Sequence, residues 1–338
     1  MRRSFPAKAQ RKTRERKDLL ALKQEKIILV SGEAASVRVD RFLAQELPWL
    51  SRHAVQDRII RGAVLLNGAP VKPSRRVRAG DRITVTVPPP ALSLADAEDL
   101  PIEVIHEDEN ILVVNKPPHV VVHPTGRRLR GTLIQAVHYR YRDAMRADPG
   151  LQPRLLHRLD RETSGVLMIS KVPSAHGALA LQFERHTVRK EYLAIVEGVI
   201  DEDRGEIRLP IGRSARSAVS VKMDVRLDAG RPALTEFEVR ERFAAHTLVR
   251  LLPRTGRQHQ LRVHLAAVGH PILADQLYKD EKHFLDYVRA GMVPRSLHPL
   301  LDRHALHAWR ITLKYKGEER TFEAPLAGDL VALLEHLR

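Results

Sequence analysis

Asp160 sits in the stretch Leu155-Leu156-His157-Arg158-Leu159-Asp160-Arg161-Glu162-Thr163-Ser164-Gly165, between two arginines and just ahead of the apolar run Val166-Leu167-Met168-Ile169. A carboxylate flanked by Arg158 and Arg161, in a turn that feeds a buried strand, is the pattern of a functional loop on a rigid scaffold. Two further segments carry usable side chains: Tyr192, near the start of a strand-like run, and Arg257, at the start of a helical one. An arginine facing Asp160 would keep it ionised and oriented, because such bidentate pairs are strong where water is partly excluded. A tyrosine could stack on a base or handle a proton. Spacing alone does not join the three, and each has an ordinary reading as turn former, core residue or solvated cation.

Other chemistries fit less well. His259 and His264 miss the i, i+4 spacing of a helical zinc pair and no third ligand is suggested, so no metal site is expected. His157, Asp160 and Ser164 crowd one loop without a nucleophile elbow, which argues against a hydrolase triad. Neither a Walker loop nor a dinucleotide fingerprint is present, so no nucleotide cofactor is implied. The absence of cysteine removes disulfides, thiolate metal sites and thiol nucleophiles together.

The 338 residues suffice for about two domains, and a hydrophobic content of 43% can supply a core. Lys and Arg outnumber Asp and Glu 57 to 41, a formal charge of +16. That balance favours a polyanionic partner, nucleic acid first, since each neutralised phosphate releases condensed counterions. A membrane partner is not expected, because no apolar run approaches the roughly 18 residues a span requires. The charged N-terminus has no apolar h-region and no small-residue cleavage site, so a cytoplasmic protein is expected.

The elements that must position these residues can be read in order. Residues 1–30 read as a flexible basic arm, with ten Lys or Arg against three Asp or Glu up to Lys26, helical at most near Arg14 to Lys26. Between residues 36 and 88 a small unit is expected. Val39, Phe42, Leu43 and Leu47 recur at helical spacing, Pro48 stops that helix, and Ser51 caps a second one that Gly62 ends. Ala63 to Leu66, the turn Asn67-Gly68 and the alternating strand Arg82 to Val87 follow. Arg52, Arg58 and Arg61 on or near one helix, with Lys72, Arg75 and Arg76 in a loop, offer a phosphate-binding face, although such charge runs are usually just solvated surface. Prolines 88–90 open a linker over 89–101.

From 102 to 338 the pattern is strand-rich. Strands are expected at Ile102 to His106, Ile111 to Asn115, Lys190 to Gly198, Val219 to Leu227, Pro232 to Glu241, His246 to Leu252, Ala305 to Lys314 and Glu319 to Ala324. Helices are expected at Ser174 to His186, Leu261 to Val268 and Asp329 to Leu337. Strands that run together argue for α+β with a mixed or largely antiparallel sheet.

Two resemblances add to this reading. Arg38-Val39-Asp40-Arg41-Phe42-Leu43, Ile60-Arg61-Gly62-Ala63-Val64, Leu65-Leu66-Asn67-Gly68 and Val77-Arg78-Ala79-Gly80-Asp81-Arg82-Ile83 resemble the small α/β RNA-binding domain named after the fourth protein of the small ribosomal subunit. His157-Arg158-Leu159-Asp160-Arg161-Glu162-Thr163-Ser164-Gly165 is similar to the signature of the RluA-type pseudouridine synthases, which convert uridine in RNA to its C-glycoside isomer. Asn115-Lys116-Pro117 with His123-Pro124, Lys190-Glu191-Tyr192-Leu193-Ala194, and Arg254 through His264 resemble that family's other motifs in the expected order. Two departures stand out: Ala274 where the family usually has glycine, and a segment from Leu306-His307-Ala308 to Lys314 that lacks the usual His-Pro.

The second resemblance implies that Asp160 is the essential carboxylate, that Arg257 pairs with it, that Tyr192 packs against the target base, and that Arg158 fills the space the flipped uridine leaves. RNA contacts are further expected from Arg161, Lys116 and the basic residues of the N-terminal unit. Isomerisation only rearranges atoms, so no metal or redox cofactor is needed. The pairing of this catalytic type with that small domain implies large-subunit ribosomal RNA as substrate, with transfer RNA next, and a monomer is expected. A non-catalytic ribosome-associated RNA-binding protein is the alternative, opposed by an intact Asp160, Tyr192 and Arg257. A sister family acting on the small subunit has Gly-Arg-Leu-Asp, whereas His157 precedes Arg158 here.

Overall fold

The computed structural model describes residues 24–32, 36–47, 52–87, 98–124, 130–148, 150–219, 221–289 and 298–338. The chain divides into two units, residues 1–95 and 96–338. Residues 1–23 of the arm expected over 1–30, Pro48, Ser51, Pro88 and residues 89–97 of the linker expected over 89–101 lie outside the described residues.

The first unit runs β1 (Gln24–Leu29), α1 (Val39–Glu46), α2 (Arg52–Ile60), β2 (Val64–Leu66), β3 (Ala69–Pro70) and β4 (Arg82–Val87), with sheet order β1-β4-β2-β3. Val39, Phe42 and Leu43 of α1 and Val55 and Ile59 of α2 lie at i, i+3 and i, i+4 spacings, so each helix turns one apolar face onto Ile28, Val64, Ile83 and Val85. Asn67 (φ 52) and Gly68 (φ 82) make the left-handed pair that a two-residue hairpin demands. One expectation fails here: residues 24–30 of the expected arm are neither flexible arm nor helix. Gln24–Leu29 pairs antiparallel along all of β4, with Ile28 opposite Ile83, because Ile27-Ile28-Leu29-Val30 carries β-branched residues that a half-buried strand accommodates better than a helix does.

The second unit contains β5 (Glu103–Glu107), β6 (Ile111–Lys116), α3 (Leu133–Arg140), α4 (Arg142–Ala147), β7 (Arg154–Leu155), β8 (Ser164–Ser170), α5 (Pro173–Glu184) and β9 (Arg189–Glu197). There follow β10 (Arg204–Ile207), β11 (Ile211–Arg213), β12 (Met223–Val225), β13 (Thr235–Arg242), β14 (His246–Pro253), α6 (Gln260–Ala267), α7 (Gln276–Lys279) and α8 (Glu281–Arg289). The chain closes with β15 (Leu306–Tyr315), β16 (Glu318–Glu323) and α9 (Gly328–Leu337). Ten strands form one sheet in the order β10-β13-β14-β9-β15-β8-β6-β5, with β16 on β15 and β7 on β8. The pairing of β8 with β15 is parallel and the other ladders of that sheet are antiparallel, so the sheet is mixed. The strand expected over Val219 to Leu227 shrinks to Met223–Val225, a two-stranded pair with β11. Every residue of β8 is buried. Among the described residues no helix is long and apolar enough to cross a membrane.

Candidate active site

Asp160 lies in the loop between β7 and β8, and that loop is held from three sides. Thr163 N donates to the Asp160 carbonyl at 3.2 Å, closing a turn. Lys116, at the end of β6, is fully buried and donates to the carbonyls of Pro117, Val120 and Arg161 at 2.7, 3.0 and 3.0 Å. Arg303, also buried, donates to the Glu162 carbonyl at 3.1 Å while its Nε and Nη2 grip Asp329 at 2.6 and 2.8 Å. Two interior cations thus fix consecutive carbonyls next to Asp160. Burial, with Arg303 nearby, pushes the Lys116 ammonium down to about 7, yet three carbonyl acceptors match the three donors of its charged form.

Thr163, Ser164 and Gly165 join the loop to β15. Thr163 Oγ1 shares a hydrogen bond with His304 Nε2 at 2.8 Å. Ser164 Oγ lies 2.8 Å from His307 Nδ1, and His307 Nε2 lies 3.3 Å from the Ala324 carbonyl. Burial pushes His307 down to about 4, so at neutral pH its one proton is on Nε2, toward the carbonyl, and Ser164 donates to Nδ1. Gly165 has φ +112, and a Cβ there would lie 2.1 Å from the Ala308 carbonyl oxygen. Only glycine lets β8 and β15 approach this closely.

The guanidinium facing Asp160 belongs to Arg262. Its Nη1 donates to Asp160 Oδ2 at 3.0 Å, while Nε and Nη2 donate to Oδ2 and Oδ1 of Asp275 at 2.6 and 2.9 Å. Arg262 is on α6 and buried. Asp275 caps α7, accepting from Tyr278 N, and the ring of Tyr278 lies under the guanidinium at 4.9 Å. Arg257 does not pair with Asp160: its Nε donates to the Pro232 carbonyl at 3.1 Å, and it stands on the cavity rim. The correction follows from helix phase. Arg257 precedes α6, whereas Arg262 sits in the buried run Leu261-Arg262-Val263-His264-Leu265. A cation in the middle of an apolar helix face was the available signal.

His259, left-handed at φ 54 ahead of α6, places Nε2 3.8 Å from Asp160 Oδ2. Tyr278 OH accepts from Met223 N and lies 2.8 Å from His259 Nδ1. The phenol therefore donates to Nδ1 and leaves the ring proton on Nε2, toward Asp160. Burial and Arg262 push His259 down to about 4. For Asp160, burial works against the charge, but His259, Arg262 and His304 outweigh it and hold the carboxyl below its ordinary range. The Asp160 side chain keeps 21% of its surface exposed, so this paired carboxylate still faces the cavity. Tyr192, on β9, lines the same cavity, and burial together with the Asp160 charge raises its phenol well above the ordinary value. It is a neutral phenol at physiological pH. The cavity measures ≈ 450 Å³, within the usual range for a small-molecule site.

The remaining expected contact residues separate. Arg158 is exposed at the cavity mouth, and Arg161 pairs with Glu162 at 2.6 Å. Lys116 is withdrawn as an RNA contact because its ammonium is enclosed by carbonyls. In the first unit Arg52 turns onto buried Asp40, which also binds Arg38 and Gln56; Arg52 therefore serves that unit's own ion cluster. Arg61 pairs with Asp57 at 2.9 Å and Arg58 is half-buried. Lys72, Arg75 and Arg76 are exposed on the loop before Val77. His264, weighed as a metal ligand, has both ring nitrogens within 2.9 Å of protein partners, Thr235 Oγ1 and the Leu209 carbonyl.

Comparison with known proteins agrees with both units. Residues 110–267 match the family model for RNA pseudouridylate synthase and residues 37–83 that for the S4 domain. An uncharacterized RNA pseudouridine synthase of Bacillus subtilis is 38% identical over 314 residues, covering 92% of this chain and 97% of the relative. The ribosomal large subunit pseudouridine synthase D of Neisseria meningitidis serogroup B is 35% identical over 316 residues, covering 92% and 81%. Among solved structures, human RNA Pseudouridylate Synthase Domain Containing 4 superposes with a TM-score of 0.55 at 27% identity, covering 70% of this chain and 93% of that one.

Proposed function

The chain belongs to the RNA pseudouridine synthases and is an isomerase of uridine in RNA, and from that premise we propose that Asp160 is its catalytic carboxylate and large-subunit ribosomal RNA its substrate. The observation that carries the first part is a charged carboxylate, anchored by Arg262 and still open to a cavity that Tyr192 also lines. The second part rests on relatives named for the large ribosomal subunit that align over nearly the whole chain. The enzyme acts there as a monomer in the cytoplasm.

The reaction breaks the N1–C1′ bond, turns the uracil ring and joins C5 to C1′; C5 loses a proton and N1 gains one. The uridine must first leave its stack, at a cost of a few kcal/mol. Arg158, exposed at the mouth, is placed to fill the gap. Tyr192 packs against the base that enters. Asp160, kept ionised by Arg262, either adds to C1′ or removes the 2′ proton, and both routes need the charged form. Because the Tyr192 phenol stays neutral, the C5 proton goes to the carboxylate or to water. Arg262 supplies a fixed positive charge that cannot leave, since Asp275 grips its other edge.

The test is to express the wild-type protein or Asp160→Asn in a strain lacking the gene and map pseudouridines in its large-subunit ribosomal RNA. The wild type restores specific positions. Asp160→Asn restores none while binding that RNA within a few fold, because it removes no basic surface. Turnover by Asp160→Asn would end the catalytic assignment; restored positions confined to other RNAs would end the substrate assignment.

A further inference from the structure

The cavity has a second end that the isomerisation chemistry does not use. Lys190 and Tyr192 are two residues apart on β9, so their side chains leave the same face of the strand about 7 Å apart. Both line the cavity; the Asp160 charge acts on Tyr192, and the Lys190 charge on His157 and His186. Lys190 is half-buried, and among the described residues its ammonium has no hydrogen-bond or ion-pair partner. Arg257 lines the same cavity. Gly256 brings the two together: a Cβ there would lie 3.6 Å from Lys190 Nζ, so the backbone beside Arg257 passes close to the ammonium. The Arg257 guanidinium spends its Nε on the Pro232 carbonyl and leaves its Nη groups without a partner among the described residues.

The surrounding charge is of one sign. Arg231 adds its field to Arg257, and Lys190, Arg257 and Arg231 together act on exposed His186; burial and these three cations push its imidazole down. Among the described residues no carboxylate offsets them there. Elsewhere in this unit Arg262 is matched with Asp275, Arg303 with Asp329, and Arg250 with Glu191 and Glu238. Like charges gathered on a rim without counterions raise the energy of the free protein, and an arriving anion relieves it.

We propose that Lys190 and Arg257 form a subsite for the backbone phosphate of the target uridine, resting on the reading of the cavity as the uridine pocket. A base against Tyr192 and a sugar at Asp160 leave that nucleotide's own phosphodiester to project toward Lys190. The ammonium meets it as a point charge and the guanidinium through paired Nη donors. The subsite orients the nucleotide by a group every nucleotide carries, so it adds affinity without reading sequence.

The test uses the full chain with Lys190→Gln, Lys190→Arg and Arg257→Gln, an oligouridylate for binding and a large-subunit ribosomal RNA transcript for turnover. Each Gln variant should lower the slope of log affinity against log salt by about 0.7, the value for one phosphate contact on a single strand. KM for the transcript should rise about tenfold, the consequence of losing about 1.4 kcal/mol of binding, with kcat changed less than KM. Lys190→Arg should restore KM. An unchanged salt slope in both Gln variants overturns the proposal, and so does a fall in kcat at unchanged KM, which would put Lys190 on the base. If Lys190→Gln melts below the assay temperature, Arg257→Gln, whose side chain is at the rim, decides. If the wild type leaves the transcript unmodified, the ribosomal substrate is wrong, while the oligouridylate slopes still decide the phosphate subsite.

Discussion

Replacing Arg262 by Gln removes the guanidinium that reaches Asp160 at 3.0 Å. In the native enzyme the Asp160 carboxyl lies below its ordinary range, so its charge is complete at and above ordinary carboxylate pH and is lost only as pH falls through the lowered value. The Arg262 charge, with that of His259, is among the causes of that lowering. Without it one of the charges that offset burial is gone and the carboxyl rises. The assay is single-turnover release of label from RNA carrying tritium at uridine C5, followed from acid to neutral pH. The acid limb of the profile should move to higher pH, and the neutral-pH rate should fall by about two orders of magnitude as the carboxylate loses its anchor. Asp275 is left buried without its ion-pair partner, a loss of about 3–5 kcal/mol, so Arg262→Lys and a melting curve accompany the measurement. The lysine should retain part of the charge effect, and because it cannot bridge both carboxylates it should not restore the rate. A wild-type acid limb in Arg262→Gln, or the same displacement produced by Arg257→Gln, would refute the assignment of the partner.

Three further substitutions probe the frame around that pair. Ala274, just before Asp275, adopts φ 63; Ala274→Gly should relieve left-handed strain and stabilise the fold by about 0.5–1 kcal/mol after the lost methyl burial, read as a higher denaturation midpoint at unchanged slope. A lower midpoint would show that the alanine packs better than its backbone suffers. Gly165→Ala should cost more than about 4 kcal/mol, because its Cβ would meet the Ala308 carbonyl at 2.1 Å; a soluble variant melting like wild type would contradict that close approach. Lys116→Met should leave three carbonyls unsatisfied and destabilise by about 3 kcal/mol, with RNA affinity unchanged in the folded fraction. Weakened RNA binding at unchanged stability would return Lys116 to the RNA surface.

Much of this site was readable before any coordinates. Asp160 was marked by its turn between two arginines and ahead of an apolar run, and Tyr192 by its strand; both line one cavity. The mixed sheet followed from strands that succeed one another without regular helices, and the Asn67-Gly68 hairpin from its turn chemistry. These are local properties, set by spacing and side-chain type over a few residues. Ala274 was visible as a departure from the family, though its cost was not, since the strain depends on a backbone angle.

What the tertiary structure decided is which groups of like chemistry meet. Arg257 and Arg262 stand in one motif, and the apolar helix face that marks Arg262 as buried does not say that it reaches a carboxylate about a hundred residues away; the packing of α6 against β12, β13 and β14 does. Lys116 read as a surface cation until the fold closed three carbonyls around it. The strand β1 looked like part of a basic arm because its partner, β4, lies more than fifty residues further on. Sequence determines what each residue can do over a few turns of chain, and the long-range packing alone selects which cation holds Asp160 in its charged state.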